Sequence, residues 1–176
     1  MEIQVAHTAD LSRETLDAAR DLLERAFEGD MTEHDWEHSL GGMHALTWED
    51  GELVGHGSVV QRRLLHRGRA LRTGYVEGVG VRADRRRRGC GAAVLRELER
   101  VIRGAYELGA LGATDMAAPF YAQLGWRLWE GPTSVLAPDG LRPTPEADGA
   151  VWVLEVSAEL DLRGELTCDW REGDEW

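Results

Sequence analysis

The chain contains no lysine, and all twenty of its basic residues are arginine. This reads as a codon bias toward G and C and carries no function by itself. Cysteine is nearly as scarce. Cys90 and Cys168 lie far apart, so a reduced and structurally unimportant pair is expected in place of a disulfide framework. No apolar run approaches the roughly eighteen residues of a membrane-spanning helix. Met1–Asp10 reads as a strand and not as a signal peptide, so the expectation is a cytoplasmic protein without a membrane partner. Proline is confined: four of the five fall between Gly131 and Gly149, which reads as a loop. There is no internal repeat and no low-complexity linker. With 176 residues and 43% apolar composition, the chain suits one well-buried core, and a single domain over 1–176 is expected.

Acid is what the chain has in excess. The formal net charge is −12, which argues against a nucleic-acid partner and favours a cationic one, although acidic surfaces also serve solubility alone. Position sharpens the reading. Arginine clusters at 82–88, whereas acid gathers at Glu28–Glu37, Glu146–Asp148 and Asp169–Glu175. One region suits an anion and the others a cation.

Periodicity places the elements. Ile3–His7 alternates as a strand, and Thr8 or Asp10 offers an N-cap for a helix carrying Leu11, Leu16, Ala19, Leu22, Leu23 and Phe27 on one face. Thr32 with Asp35 resembles a capping box opening a short helix that Gly41-Gly42 ends. Met43–Trp48 and Glu52–Gln61 form a hairpin about Asp50-Gly51, and a second hairpin turns at His66–Arg69 into a strand over Ala70–Val81. Ala92–Tyr106 is helical, Leu108–Ala113 a strand, and Asp115–Gln123 a short helix closed by Gly125. Trp126–Trp129 and Val151–Val156 complete the strands, and the tail after Ser157 keeps enough leucine and tryptophan to pack on the domain. The pattern is mixed α/β, mostly antiparallel, with one central βαβ crossover.

That crossover carries the chemistry. Gly78–Val81 leaves a buried strand, Arg82–Arg88 turns, and Gly89-Cys90-Gly91 opens a helix. A helix N-terminus presents unpaired N–H groups and partial positive charge to a phosphate, and Gly89 and Gly91 remove the Cβ atoms that would obstruct it. Tight packing, a nuclear-localisation run and a dinucleotide fold compete with this reading. The GxGxxG spacing is absent, and a Walker A motif needs the lysine the chain lacks.

Val79-Gly-Val-Arg-Ala-Asp with Arg86-Arg-Arg-Gly-Cys-Gly91 resembles the [QR]xxGx[GA] acyl-CoA motif of GNAT acetyltransferases, and Tyr121-Ala-Gln-Leu-Gly-Trp126 resembles their second conserved block. Gly29-Asp30, Asp35–His38, Leu40–Ala45, Gln61–Arg63, Tyr75–Gly78, Arg103–Tyr106, Gly131–Pro138 and Cys168–Trp176 extend the likeness, over nearly the whole chain, to aminoglycoside 2′-N-acetyltransferases.

The resemblance implies a GNAT fold: a mixed, mostly antiparallel central sheet with one splayed parallel pair, flanked by helices. It implies acetyl-CoA as cosubstrate, no metal, and a homodimer. The pantetheine arm would pair with backbone around Val79, Gly80 and Val81, and the pyrophosphate would meet Arg86, Arg87, Arg88, Gly89, Cys90 and Gly91. Glu77 would act as base through water and Tyr121 as acid near the sulfur, with a backbone N–H near Val79 polarising the thioester carbonyl. Burial in an apolar strand would raise the Glu77 pKa. Without the resemblance, a cross-strand ion pair is the alternative for Glu77 and a core aromatic the alternative for Tyr121. The acceptor, a polycationic aminoglycoside, would be lined by Asp30, Asp35, Glu77, Gly78, Gly112, Glu146, Asp148, Asp174 and the terminal carboxylate of Trp176. Ala147 interrupts an acidic run of relatives, Gly112 stands where relatives can carry Ser, and Pro119 could move the start of its helix toward Tyr121. His34 and His38, an i,i+4 pair without the HExxH glutamate, read as surface or packing residues. A different amine acceptor, such as a cell-wall amino sugar or polyamine, and a non-enzymatic CoA or nucleic-acid binder remain as alternatives.

Overall fold

Helix α1 (Arg13–Ala26) begins where Ser12 can cap it: the Ser12 hydroxyl accepts from the Thr15 amide at 3.2 Å. The sequence reading put this cap at Thr8 or Asp10, but those residues form a separate single 3-10 turn. Their capping role is lost because the Thr8 hydroxyl is engaged by Gly41, Gly42 and His44. At its other end α1 winds into Glu28 and Gly29, both with positive φ, and the Gly29 amide donates to the Glu24 carbonyl at 3.0 Å. The capping box at Thr32 and Asp35 forms as read and opens α2 (Glu33–His38).

The computed structural model describes all residues 1–176, and the chain divides into two compact units. The first comprises Met1–Val60 and Val76–Val101. In it β1 (Glu2–His7) pairs antiparallel with β2 (Met43–Glu49), and β2 pairs antiparallel with β3 (Glu52–His66). Asp50 and Gly51 both take positive φ, as a type I′ hairpin turn requires. Ala19, Leu22 and Leu23 of α1 bury against Trp36 and Leu46, so the apolar stripe read from the sequence is the face that packs. Strand β4 (Arg69–Val81) leads through the arginine-rich turn to α3 (Cys90–Ala105).

The second unit comprises Gln61–Tyr75 and Ile102–Trp176. Here β5 (Leu108–Gly112) runs parallel to β4 over Thr73–Tyr75, three residues of a thirteen-residue strand, and antiparallel to β9 (Val151–Glu155). Strand β6 (Arg127–Leu128) pairs with β9. The βαβ crossover read from the sequence is thus β4–α3–β5. Helix α4 (Ala118–Gln123) starts three residues later than its pattern suggested, because Pro119 suits only the first helical turn.

Two segments differ from the sequence reading. The supposed loop Gly131–Gly149 contains a hairpin, β7 (Thr133–Ala137) and β8 (Gly140–Pro143). Its prolines flank these strands or end the edge strand, where no ladder N–H is lost. The tail forms β10 (Leu166–Asp169), antiparallel to β3 at Leu64 and Leu65 and parallel to β7. The fold is the expected GNAT-like α/β arrangement, a mixed sheet with flanking helices, and the β7–β10 contact adds a second parallel pair. No helix is long and apolar enough to cross a membrane.

Close backbone approach at Gly42 ties β2 to β3, since a Cβ there would stand 2.1 Å from the Val59 carbonyl oxygen. Gly42→Ala is therefore expected to lower the unfolding free energy by about 2–3 kcal/mol, read from the urea midpoint at unchanged m-value.

Candidate active site

The first unit carries the elements that the sequence suggests for anion binding. Gly89 has φ 87° and Arg87 φ 59°, and the first helical bond of α3 runs from Ala93 N to Gly89 O at 2.9 Å. The amides of Cys90, Gly91 and Ala92 precede that bond, so they are the open donors of the helix start. The arginine run is divided in role. Arg82 binds Asp84 (2.7 Å) and Glu52 (2.6 Å), and these acids raise its pKa further. Arg85 binds Glu49 and Asp84, each at 2.7 Å. Arg86 donates to the backbone carbonyls of Val81 and Ala26. Arg87 and Arg88 are exposed beside the helix start. Cys90 is buried, as suits a packing residue and not a nucleophile.

Upstream in β4, Glu77, Gly78 and Val79 are half-buried. Gly78 takes φ +54°, and a Cβ there would meet the Ser39 hydroxyl at 2.7 Å and Leu23 at 3.0 Å. Its carbonyl accepts a hydrogen bond from His56 Nδ1 at 2.8 Å. His56 Nε2 meets His44 Nδ1 at 2.9 Å, and His44 Nε2 meets the Thr8 hydroxyl at 2.8 Å. Both rings are fully buried. Burial pushes His44 down to about 3, assisted by His56 and His7, and pushes His56 down to about 4 against the opposing effect of the Gly78 carbonyl. Sequence reasoning assigned these two histidines nothing. The available signal was their place on neighbouring strands of one hairpin, with His56 opposite Leu46 and His44 opposite Ser58. Of the acids expected here, Asp35 spends its carboxylate on the Thr32 amide (2.7 Å) and hydroxyl (2.9 Å), and Asp30 is exposed. His34 and His38 stack with ring centres 6.5 Å apart.

The second unit carries a cavity of about 390 Å³ lined by Gly112, Glu146, Ala150, Asp174, Glu175 and Trp176, among others. Gly112, Glu146, Asp174 and Trp176 are thus brought together as the sequence suggested. Asp148 is turned elsewhere: its Oδ1 accepts from the Thr133 amide and hydroxyl at 2.8 and 2.9 Å. A Cβ on Gly112 would lie 3.5 Å from the Trp176 backbone carbon, ordinary contact, so the glycine leaves room without being forced. The Trp176 indole donates to Thr144 Oγ1 at 2.8 Å, and Arg142 pairs with Glu175.

Arg62 organises this tail and was not singled out by sequence. Buried in β3, it donates to Asp169 Oδ1, the Asp169 carbonyl and the Glu175 carbonyl, each at 2.7 Å. Three charge-assisted bonds from one guanidinium hold both ends of the segment leading to Asp174. Tyr121 is buried on α4 beside Phe120 and Trp126, and burial raises its phenol to about 12. It is protonated at neutral pH and available as a donor. A larger surface hollow of about 500 Å³, lined by Met1, Gln4, Trp48 and Asp50 among others, gathers none of the predicted residues.

The acetyltransferase (GNAT) domain family matches residues 7–129, and the chain belongs to that family of N-acetyltransferases. It is also 52% identical, over 98% of its own length and 91% of the other's, to an aminoglycoside 2′-N-acetyltransferase of Mycolicibacterium fortuitum. Solved structures agree on the fold. A GNAT acetyltransferase of Brucella melitensis in complex with acetyl-CoA gives a TM-score of 0.63 at 15% identity over 94% of both chains. Eis1 of Mycobacterium abscessus gives 0.60 at 22% identity over 72% of this chain, which spans about a third (31%) of that protein.

The buried histidines predict a pH response. Their pKa values fall below the unfolded value of about 6.5, so the folded state favours neutral rings. Their contribution to stability is complete above that pH and is lost as pH falls toward 4 and then 3. Proton NMR should show both imidazoles neutral from pH 5 to 8, with the urea midpoint declining below 6.5. A ring titrating near 6.5 in the folded protein would contradict this.

Proposed function

We propose that this acetyltransferase moves the acetyl group of acetyl-CoA onto the 2′-amine of aminoglycosides. The observation that carries the acceptor is the 52% identity, over 98% of the chain, to an aminoglycoside 2′-N-acetyltransferase. The cavity adds chemical support, because Glu146, Asp174 and Glu175 put carboxylates where a polycation needs them. Arg142 offsets one of these charges. In the sequence assignment Asp30, Asp35 and Asp148 also served the acceptor. Asp35 Oδ2 and Asp148 Oδ1 each accept from a backbone amide, which leaves one oxygen of each carboxylate for the acceptor, beside the contacts from Glu146 and Asp174.

The donor would lie along Val79–Val81, with its pyrophosphate at the amides of Cys90, Gly91 and Ala92 and the side chains of Arg87 and Arg88. Arg86 would shape the turn through its bonds to Val81 and Ala26. Transfer proceeds by direct attack in a ternary complex. The neutral amine nitrogen attacks the thioester carbon, and the carbonyl oxygen gathers negative charge that the Val79 N–H stabilises. The C–S bond then breaks. Glu77 accepts the proton of the amine through water, and Tyr121 supplies a hydrogen bond and proton to the leaving sulfur. Positioning accounts for much of the acceleration, because no covalent enzyme intermediate is required. We place the reaction in the cytoplasm of a homodimeric enzyme, with aminoglycoside resistance as its consequence.

The acceptor is tested by turnover against tobramycin, which carries an amine at 2′, and amikacin, which carries a hydroxyl there. Tobramycin should be acetylated at 2′, as read by NMR of the product, and amikacin should not. Turnover of polyamines or amino sugars with none of tobramycin would contradict the acceptor while leaving the donor in place. Separately, Tyr121→Phe should lower kcat by roughly 10- to 100-fold with little change in acetyl-CoA affinity. Undiminished kcat would remove Tyr121 from its role.

A further inference from the structure

The path Thr8–His44–His56–Gly78 has only one arrangement of protons when both rings are neutral. The Gly78 carbonyl can only accept, so His56 Nδ1 carries hydrogen and donates to it at 2.8 Å. His56 Nε2 is then bare and accepts from His44 Nδ1–H at 2.9 Å. His44 Nε2 is bare in turn and accepts from the Thr8 hydroxyl at 2.8 Å, a shorter contact than the 3.2 Å from that hydroxyl to the Gly42 carbonyl, its other acceptor. That hydroxyl accepts the Gly41 amide at 2.9 Å. Four hydrogen bonds thus point one way, each donor strengthened by the one behind it, and they end on a single carbonyl.

That carbonyl belongs to the one residue of β4 held in the left-handed region. In a trans peptide the C=O and the following N–H point in opposite directions. Anchoring the Gly78 oxygen on His56 therefore aims the Val79 N–H away from His56. Donation into the oxygen also draws charge across the amide and makes the N–H a better donor. Two buried imidazoles are an expensive way to hold a carbonyl that water or a ladder partner could satisfy, and apolar residues would fill the volume as well.

We propose that His56, backed by His44, is a positioning residue for acetyl transfer, which aims and polarises the Val79 N–H toward the thioester oxygen by holding the Gly78 carbonyl. The proposal rests on the reading of Val79 given above. Its effect belongs in the chemical step and not in donor affinity, because the oxygen bears full charge only as the amine attacks.

The test uses the full chain with His56→Leu, His56→Asn and His44→Leu. Asparagine places an N–H near the Nδ1 position and keeps the bond to Gly78, whereas leucine removes it. Single-turnover transfer to tobramycin should fall by roughly ten- to thirty-fold in His56→Leu, less than the loss of a whole oxyanion donor. His56→Asn should recover to within about threefold, and His44→Leu should fall in between. Acetyl-CoA dissociation constants should stay within about twofold throughout. In ¹⁵N-resolved spectra without substrate, the Val79 amide should move in His56→Leu and return toward its original position in His56→Asn. Equal transfer rates in the leucine and asparagine variants would overturn the proposal. So would an unmoved Val79 amide in His56→Leu. If the unmodified protein transfers acetyl to no amine, the proposed function fails, and the Val79 resonance still decides whether His56 sets that peptide.

Discussion

The hydrogen bond from His56 to the Gly78 carbonyl is the constraint on which the arrangement of β4 turns. A left-handed residue inside a strand is tolerable only for glycine, and only when the displaced carbonyl finds a partner. Here the partner is supplied by a second strand, backed by a third group on β2 and a fourth in the turn after β1. The Gly41-Gly42 turn, the first hairpin and the central strand are thereby held in one polar network. Around it the packing is close: a side chain at Gly78 would have to displace the Ser39 hydroxyl and Leu23. What emerges is a peptide group whose orientation is determined before any substrate arrives, the condition under which a backbone donor can stabilise developing charge.

Charge is allocated with similar economy. The chain is strongly acidic, yet its arginine run mixes structural and available cations. Arg82 and Arg85 are neutralised by Glu52, Asp84 and Glu49, and Arg86 closes the turn on backbone oxygens. Arg87 and Arg88 are exposed beside the open amides of α3. Under the proposed function, anion recognition at that turn would rest mainly on backbone and helix polarity. In the second unit Arg62 plays the converse part, a buried cation that shapes an acidic segment without contributing to its lining.

Much of this was legible in the residues. The capping box at Thr32, the Asp50-Gly51 hairpin, the amphipathic stripes of α1 and α3 and the glycine-opened helix start all follow from local rules, and all form. The hairpin β7–β8 is obscured in the sequence by its four prolines, although Asp139-Gly140 is a turn signal set between Ser134–Ala137 and Leu141-Arg142. The cap of α1 was misplaced because Thr8 answers to residues more than thirty positions away. For the candidate site the pattern is the same. Gly112, Glu146, Asp174 and Trp176 were read from family likeness and share a cavity, while Asp35 and Asp148 satisfy local donors. Arg62 acts through hydrogen bonds to residues more than a hundred positions away that no local spacing announces, whereas His44 and His56 were within reach of the hairpin register alone.

The central claim is that Val79–Gly91 is the cradle of the acetyl donor. Titration of the ¹⁵N-labelled protein with acetyl-CoA tests it most directly. The amides of Val79, Val81, Cys90, Gly91 and Ala92 should shift together and saturate along one binding curve. Saturable binding that leaves these five amides unmoved would contradict the account.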